Sequence, residues 1–441
     1  MEDYTSNKRY NHLVMKKAVI TVIILSISAG ILFWKFGEAI FQKKDSTVNL
    51  TVWGMAEDEG ALASLAQNYE TSHPNIKLHF VRQSLVNYLP RLSAQLESGQ
   101  GPDIFPLHSA WMGSNLENLA PAPQSILSTP EVNRSYYPVV NGVVINKEKI
   151  FGLPTEIDGL AMFVNEDILK AANVAVPKTW AEFLEAAKKV TVKNSSGGIV
   201  TSGAAFGTTT NVDFWPEILG LLFYQQPNGE LSTPNNRDGA EVLTFYTSFM
   251  LDPRNKTWDI NLPSSTQMFI SGNLAFYFAP VKKYQEIKGL NPELNFKMTV
   301  VPQLSSKNTA WGSFWALGVS KRSPHQKEAW ELVKFLTSSQ TLQTINLQRT
   351  QTGFFPRVYP RIEMASQQLN DPVLSLVTSQ NNFYKSWYIT SVNGGSGMSQ
   401  DLTDLYKQAV DAVLQGSSPE NALSGISGSI KTVLAKYGVA K

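Results

Sequence analysis

The chain has 441 residues and a formal net charge of +2, from 38 Lys and Arg against 36 Asp and Glu. With 17% charged and 43% hydrophobic residues it has an ordinary globular balance, and this charge gives no sign of a nucleic-acid partner. The absence of cysteine excludes disulfides, thiolate metal sites and cysteine nucleophiles. The length suffices for two domains, and aromatic residues are abundant, with 10 Trp, 15 Tyr and 22 Phe.

The first 47 residues predict an export and membrane-anchoring segment. Residues 1–17 are polar and basic and are predicted to be cytoplasmic, whereas residues 18–34 carry no charge. This run of about 17 residues is roughly 26 Å long as a helix, so residues 18–41 are predicted to form an uncleaved transmembrane signal anchor, followed by a tether over 42–47. Cleavage near Ser26–Ala29 and a true start at Met15 remain open alternatives.

The segment after the tether alternates between strand and helix patterns. Strands are predicted at 48–52, 76–81 and from 104, and helices at 60–69 and 89–96. This alternation predicts an α/β architecture.

A second stretch, residues 152–191, organises the centre of the chain. A polar turn at 154–159, which carries Glu156 and Asp158, precedes a short apolar strand at 160–164 and a helix that ends near Asn173. Thr179 and Glu182 then form a predicted capping box at the start of the next helix.

The C-terminal half continues the same alternation. Helices are predicted from Pro216, at 237–249, at 265–270 and at 324–336, with two more within 402–437, and strands are predicted at 274–278, 296–302 and 311–319.

Several of these motifs, taken in order, resemble extracellular solute-binding proteins of ABC importers. Gly101-Pro102-Asp103-Ile104-Phe105, the run from Phe163 to Leu169, and Pro177-Lys178-Thr179-Trp180-Ala181-Glu182 resemble the carbohydrate-binding branch, which includes maltose-binding protein. Val164 departs from the usual Tyr of that pattern. Phe354-Phe355-Pro356 resembles a further crossing turn.

The resemblance implies two hinge-connected α/β lobes with a solute cleft between them. The predicted boundaries are 48–155 with about 274–311 for the first lobe, and 156–273 with about 312–441 for the second. The resemblance also places Asp158 at the acidic position that holds sugar hydroxyls.

Candidate ligand residues follow from the rule that ligands of open parallel sheets collect beyond the C-terminal ends of strands. A sugar offers apolar C–H faces and a rim of hydroxyls, so its site needs flat aromatic rings beside carboxylates or amides. The residues that fit are Trp53, Glu57, His108, Ser109, Trp111, Glu156, Asp158, Asp213, Trp215, Tyr277, Trp311, Ser313, Phe314 and Trp387. A tryptophan at such a junction is also a common core residue, and Trp180 and Trp330, which fall on helical stripes, are predicted to be core.

The predicted function is therefore a membrane-tethered, extracytoplasmic receptor that captures an oligosaccharide by hinge closure and delivers it to an ABC permease. It is expected to be a monomer without cofactor or metal. A sensing or adhesive ectodomain, or a protein that binds a polyol or peptide, remains an alternative. Catalysis is not expected, because two carboxylates two residues apart on a turn need not flank a glycosidic bond, and no hydrolase or phosphate-loop motif is present.

Overall fold

The computed structural model describes residues 15–17, 19, 21–23, 26–28, 30–31, 47–55, 59–304 and 308–439. Within these ranges, no helix is long and apolar enough to cross a membrane. Most of the predicted anchor and tether lies outside the described residues, so that segment stays a prediction. Contacts divide the chain into one compact unit of residues 1–49 and 72–77 and another of 50–71 and 78–441, and all candidate residues belong to the latter.

Strands and helices alternate along the described chain, as the sequence predicts. The strands are β1 Val48–Met55, β2 Ile76–Gln83, β3 Ile104–His108, β4 Ile145–Asn146, β5 Lys149–Ile150, β6 Leu153–Asn165, β7 Val192–Lys193, β8 Ile199–Ala204, β9 Leu274–Pro280, β10 Phe296–Thr299, β11 Ala310–Val319 and β12 Tyr384–Lys385. The helices of the first part are α1 Glu59–Ser72, α2 Tyr88–Glu97, α3 Ser109–Met112, α4 Thr129–Ser135, α5 Pro138–Val144, α6 Glu166–Ala172, α7 Trp180–Val190 and α8 Trp215–Gln225. Those that follow are α9 Arg237–Leu251, α10 Ser265–Ile270, α11 Lys283–Leu290, α12 Gln326–Leu336, α13 Ser339–Gln351, α14 Leu374–Gln380, α15 Met398–Leu414 and α16 Pro419–Lys436.

Local signals fix several of these ends. The side chain of Thr179 accepts the N–H of Glu182, and the Glu182 carboxylate accepts the N–H of Thr179, so the predicted capping box is confirmed. Asn165 caps α6 through the N–H groups of its second and third residues, and Asn173 ends that helix with φ of 50° in the left-handed region.

One sheet runs through the described fold, in the order β2-β1-β3-β11-β6-β9-β8-β7, with β10 paired to β6 and β12 paired to β11. We call the part built on β1, β2 and β3 the first lobe, and the part built on β7 to β10 the second lobe. The long strands β6 and β11 connect the two lobes, because β11 pairs with β3, β6 pairs with β9, and β6 and β11 pair with each other. Over Leu153–Gly159 β6 pairs with β11, and over Leu160–Val164 it pairs with β9, while β11 pairs with β3 over Trp315–Val319.

The predicted polar turn at 154–159 is wrong, because these residues continue β6. Their backbone is paired to β11 from Gly312 to Leu317. The register shifts between Trp315 and Ala316, which leaves Thr155 as the extra residue of a β-bulge, and its hydroxyl donates to the Trp315 carbonyl at 3.2 Å. The carboxylates of Glu156 and Asp158, which suggested a turn, have partners in other segments of the same chain, described below.

The predicted lobe boundaries stay a prediction, and two contacts of the structure bear on them. β9, predicted within the first lobe, pairs with β8 and β6 in the second. Trp330 of α12, predicted within the second lobe, donates its indole N–H to the carbonyl of Ala120, between α3 and α4, at 3.2 Å. The chain therefore returns to the first lobe along β11.

Candidate functional site: the cleft at the chain crossings

A cavity of about 900 Å³ lies where β6, β11 and residues 354–358 run side by side. Ile157 of β6 donates its N–H to the Val358 carbonyl at 3.1 Å. Residues 354–358 therefore form a third crossing segment beside β6 and β11. The walls come from the C-terminal ends of β1 and β2, the start of α11, and α13 with the turn after it. The lining side chains that bear charge or an aromatic ring are Trp53, Arg82, Glu156, Asp158, Lys282, Lys283, Glu286, Trp315, Arg349, Phe354, Phe355 and Arg357.

Asp158 joins the crossing strand to the second lobe. One of its oxygens accepts the N–H of Gly159 at 2.8 Å and of Val281 at 3.0 Å, and the other accepts that of Lys282 at 3.4 Å. Burial raises the pKa of this carboxyl to about 6, although the Lys282 ammonium and the backbone donors oppose the shift. Asp158 thus holds the β9–α11 junction against β6 and lines the cavity at the same time.

Glu156 joins two of the crossing segments through its charge. Its Oε2 lies 2.7 Å from the Nε of Arg357, and both side chains are mostly buried, at 18% and 13% exposed. A partly buried ion pair is less screened by solvent than a surface pair, so this contact fixes the position of residues 354–358 beside β6.

A row of rings forms the aromatic wall on the first-lobe side. Trp53 meets Tyr88 edge to face at 5.8 Å, Tyr88 stacks on Trp111 at 5.9 Å, and Trp111 meets Trp315 edge to face at 5.3 Å. Only the two end members of this row, Trp53 and Trp315, line the cavity. His108 packs against both Trp111 and Trp315, and burial with the nearby Lys282 charge lowers its pKa to about 3, so it is neutral at neutral pH.

The structure brings three predicted residues, Trp53, Glu156 and Asp158, together on the cavity wall. His108, Ser109 and Trp111 lie in the layer behind it, where all three are buried. The hydroxyl of Ser109 accepts the N–H of Phe314 at 3.3 Å, which ties α3 to β11.

The other predicted residues do not line this cavity. Asp213 caps α10 by accepting the N–H of Thr266 at 2.8 Å, and the buried Tyr277 hydroxyl lies 2.7 Å from the Thr266 hydroxyl. Trp215 is buried in the first turn of α8. Trp387 is half-buried and packs on Tyr388.

On β11, Trp311 and Phe314 are buried and Ser313 is half-buried, and none of them lines the cavity. Trp311 stacks on Tyr224 of α8 with ring centroids 5.9 Å apart. Glu57 lies outside the described residues, so its predicted role stays a prediction.

Sequence reasoning missed all five cationic residues of the lining and three of its rings, Trp315, Phe354 and Phe355. Arg82 follows the same strand-end rule that selected Trp53, because it lies at the end of β2. Trp315 is four residues beyond Trp311 on β11, and neither its type nor its spacing separates the two. Lys282, Arg349 and Arg357 reach the cavity through tertiary packing, and no local pattern in the sequence marks them.

Two glycines let a tyrosine approach the crossing strands from the side. Gly159 and Gly312 face each other across β6 and β11. A Cβ on Gly159 would lie 1.8 Å from the Tyr384 hydroxyl, and one on Gly312 would lie 2.4 Å from its ring. Glycine is required at both positions, and the buried Tyr384 hydroxyl has no hydrogen-bond partner among the described residues.

Among the described residues there is no group of three or more His, Asp or Glu side chains placed to hold a metal ion. The cleft presents instead two tryptophan rings beside carboxylates and cations. This set suits a hydroxylated ligand with apolar faces, which it would bind through stacking and hydrogen bonds.

Comparison with known proteins defines the class. The family model for bacterial extracellular solute-binding proteins matches residues 53–342, and the chain belongs to that family. This confirms the family resemblance and the two-lobed α/β fold predicted from the sequence.

Individual relatives differ in what their names say they bind. A probable periplasmic-binding protein of an amino-acid ABC transporter from Sinorhizobium fredii is 22% identical over 402 residues, 86% of this chain and 88% of the relative. The melibiose/raffinose/stachyose-binding protein MelE of Bacillus subtilis is 22% identical over 313 residues, 67% of this chain and 70% of the relative. The sugar-binding protein MalE of Xanthomonas citri superposes with a TM-score of 0.69 at 19% identity, covering 88% of this chain and 98% of that one, a likeness that shows the fold.

Proposed function

We propose that the chain is the extracytoplasmic receptor of an ABC importer and that it captures an oligosaccharide in the cleft at the chain crossings. The observation that carries the proposal is the placement of Trp53, Trp315, Glu156 and Asp158 on one cavity wall where three segments cross. Rings beside carboxylates match the apolar faces and hydroxyl rim of a sugar. The sugar-binding names of MelE and MalE support the same ligand class.

The magnitudes require both kinds of contact. A fully buried aromatic ring covers about 150–250 Å², which at about 25 cal/mol per Å² gives roughly 4–6 kcal/mol before costs. Association costs about 4–15 kcal/mol. Two rings alone therefore give little net affinity, and micromolar binding, about 8 kcal/mol, needs the hydrogen bonds of Glu156, Asp158 and their neighbours.

Hinge closure follows from the way β6 and β11 are shared. β11 pairs with β3 of the first lobe, β6 pairs with β9 of the second lobe, and the two strands pair with each other, so bending at the crossings would change the width of the cleft. A ligand that contacts both lobes favours the closed arrangement, which the permease would recognise. In this proposal the N-terminal segment tethers the receptor to the membrane, and the chain has no catalytic role.

Thermal unfolding of the purified full-length chain against a panel of oligosaccharides, polyols, amino acids and peptides tests the proposal. A ligand at 100 times its dissociation constant adds about 2.7 kcal/mol to the free energy of unfolding, which raises the midpoint. We expect at least one oligosaccharide to do so. A shift with amino acids or peptides and with no carbohydrate would contradict the proposal and favour the ligand class of the S. fredii relative.

A further inference from the structure

The described lining residues of the cleft carry more positive than negative side chains. The cations are Arg82, Lys282, Lys283, Arg349 and Arg357, and the carboxylates are Glu156, Asp158 and Glu286. Residues 56–58 lie outside this count because the structure does not describe them.

All three carboxylates already have partners within the protein. Glu156 pairs with Arg357 at 2.7 Å, and Glu286 pairs with Lys283 at 2.6 Å. Asp158 accepts three backbone N–H groups. These contacts leave little acidic capacity on the described wall for an additional cation.

Lys282 differs from these paired residues. Its backbone N–H is one of the donors to Asp158, which holds Lys282 beside that carboxylate, directly before α11. Its side chain is exposed and lines the cavity, and its ammonium makes no hydrogen bond or ion pair with any residue in the described part of the chain. The hydrogen bond from its backbone to Asp158 places Lys282 next to that carboxylate.

Trp315 lies near Lys282 through β6. It pairs with Glu156, two residues before Asp158, and Asp158 accepts the backbone N–H of Lys282. A sugar ring stacked on Trp315 would therefore place its substituents near Lys282, whose ammonium can bind an anion through charge-assisted hydrogen bonds, which are stronger than those between neutral groups.

We propose that the ligand is an acidic oligosaccharide, whose anionic substituent binds Lys282 while its rings stack on Trp53 and Trp315. The inference rests on the proposed carbohydrate-binding function and specifies its ligand class. The shared chemistry is a sugar-borne anion, and its two sources, the carboxylate of a uronic acid and a sulfate ester, are separated by the test.

Isothermal titration of the full-length chain with matched pairs of trisaccharides tests the ligand class. Each pair sets oligomers of galacturonic, glucuronic or mannuronic acid, or sulfated galactotriose, against the neutral oligomer of the same length and linkage. We expect at least one acidic member to bind 10-fold or more tightly than its neutral counterpart, with an affinity that falls as salt is raised. Preference for the uronates or for the sulfated trisaccharide then identifies the anion.

The variant Lys282→Met tests the residue. It should lower affinity for the acidic ligand by 10-fold or more and leave affinity for the neutral counterpart within about twofold. Lys431→Met is the matched control, because Lys431 is exposed on α16 and does not line the cavity. Its substitution makes the same change in net charge. It should leave both affinities unchanged.

The outcomes separate the two proposals. If neutral oligosaccharides bind as tightly as acidic ones, or if Lys282→Met weakens both equally, the acidic-ligand inference is overturned and the carbohydrate-binding function stands. If no member of any pair binds while a neutral oligosaccharide raises the midpoint in the thermal screen, the acidic-ligand inference is likewise overturned and the carbohydrate-binding function stands.

Discussion

Trp311 and Trp315 are the same residue type, four positions apart on β11, yet they lie in different environments. Trp311 is 3% exposed and is covered by α8, where Gly220 leaves room for its ring, since a Cβ there would lie 2.3 Å from it. Trp315 is half-buried, packs on Trp111 and His108, and lines the cleft. Positions i and i+4 of a strand share a face, so the difference comes from what covers that face at each point.

The comparison shows that the neighbouring layer of the fold decides which of the two tryptophan rings lines the cavity. At Trp311 the covering helix carries a glycine that admits the indole. Trp315 lies at the β-bulge formed by Thr155 and lines the cavity. Two predictions test whether these two tryptophans have the separate roles that we propose for them, and a third concerns Asp158 beside them.

The largest expected effect is on stability, from Trp311→Ala. Removing this buried ring leaves a cavity against Tyr224 and Gly220, and we expect the free energy of unfolding to fall by about 3–5 kcal/mol. Urea denaturation followed by circular dichroism measures it. The folded fraction should bind ligand within about twofold of the parent, and a loss of affinity equal to that of Trp315→Ala would remove the distinction.

Trp315→Ala should affect binding more than stability. Loss of a ring that stacks on the ligand costs about 2 kcal/mol of binding free energy, roughly 30-fold in dissociation constant. Isothermal titration with the ligand found in the thermal screen measures it. Unchanged affinity would show that Trp315 is not a platform, and the free energy of unfolding should fall by less than in Trp311→Ala, since Trp315 is only half-buried.

The smallest effect concerns the pH dependence of stability and the carboxylate of Asp158, which lies opposite Ser313 on β11. Because the pKa of Asp158 is about 6 when folded and 3.8 ordinarily, the folded chain keeps a proton that the unfolded chain releases between those values. This group's contribution to the free energy of unfolding therefore falls as pH rises from about 4 to about 6. In Asp158→Asn the contribution is absent.

Thermal melting of parent and Asp158→Asn at intervals from pH 4 to pH 7 measures that contribution as the difference between two midpoints. The parent should lose a few degrees relative to the variant across this window, and the difference should level off above pH 6. A difference that is constant with pH would show that Asp158 is ionised throughout.

Much of the fold was readable because it rests on local signals. The capping box at Thr179, the strand and helix order, and the burial of Trp180 and Trp330 all follow from spacing within a few residues, and the structure confirms them.

The candidate site was less predictable because its members meet only through the crossings. The sequence around Glu156 predicts a turn. In the structure, Arg357 from a distant part of the chain lies beside it. Lys282 and Trp315 carry no motif of their own. Trp111 satisfies the strand-end rule and still lies in the second layer, since α3 turns it toward Tyr88.

Tyr384 bears on the hinge closure that we propose. Its ring leaves no room for a Cβ at Gly159 or Gly312 on the two crossing strands, and close-packed atoms resist further compression. In the proposed closure, bending of these strands toward the phenol would therefore be blocked, and this single side chain would limit the motion on one side.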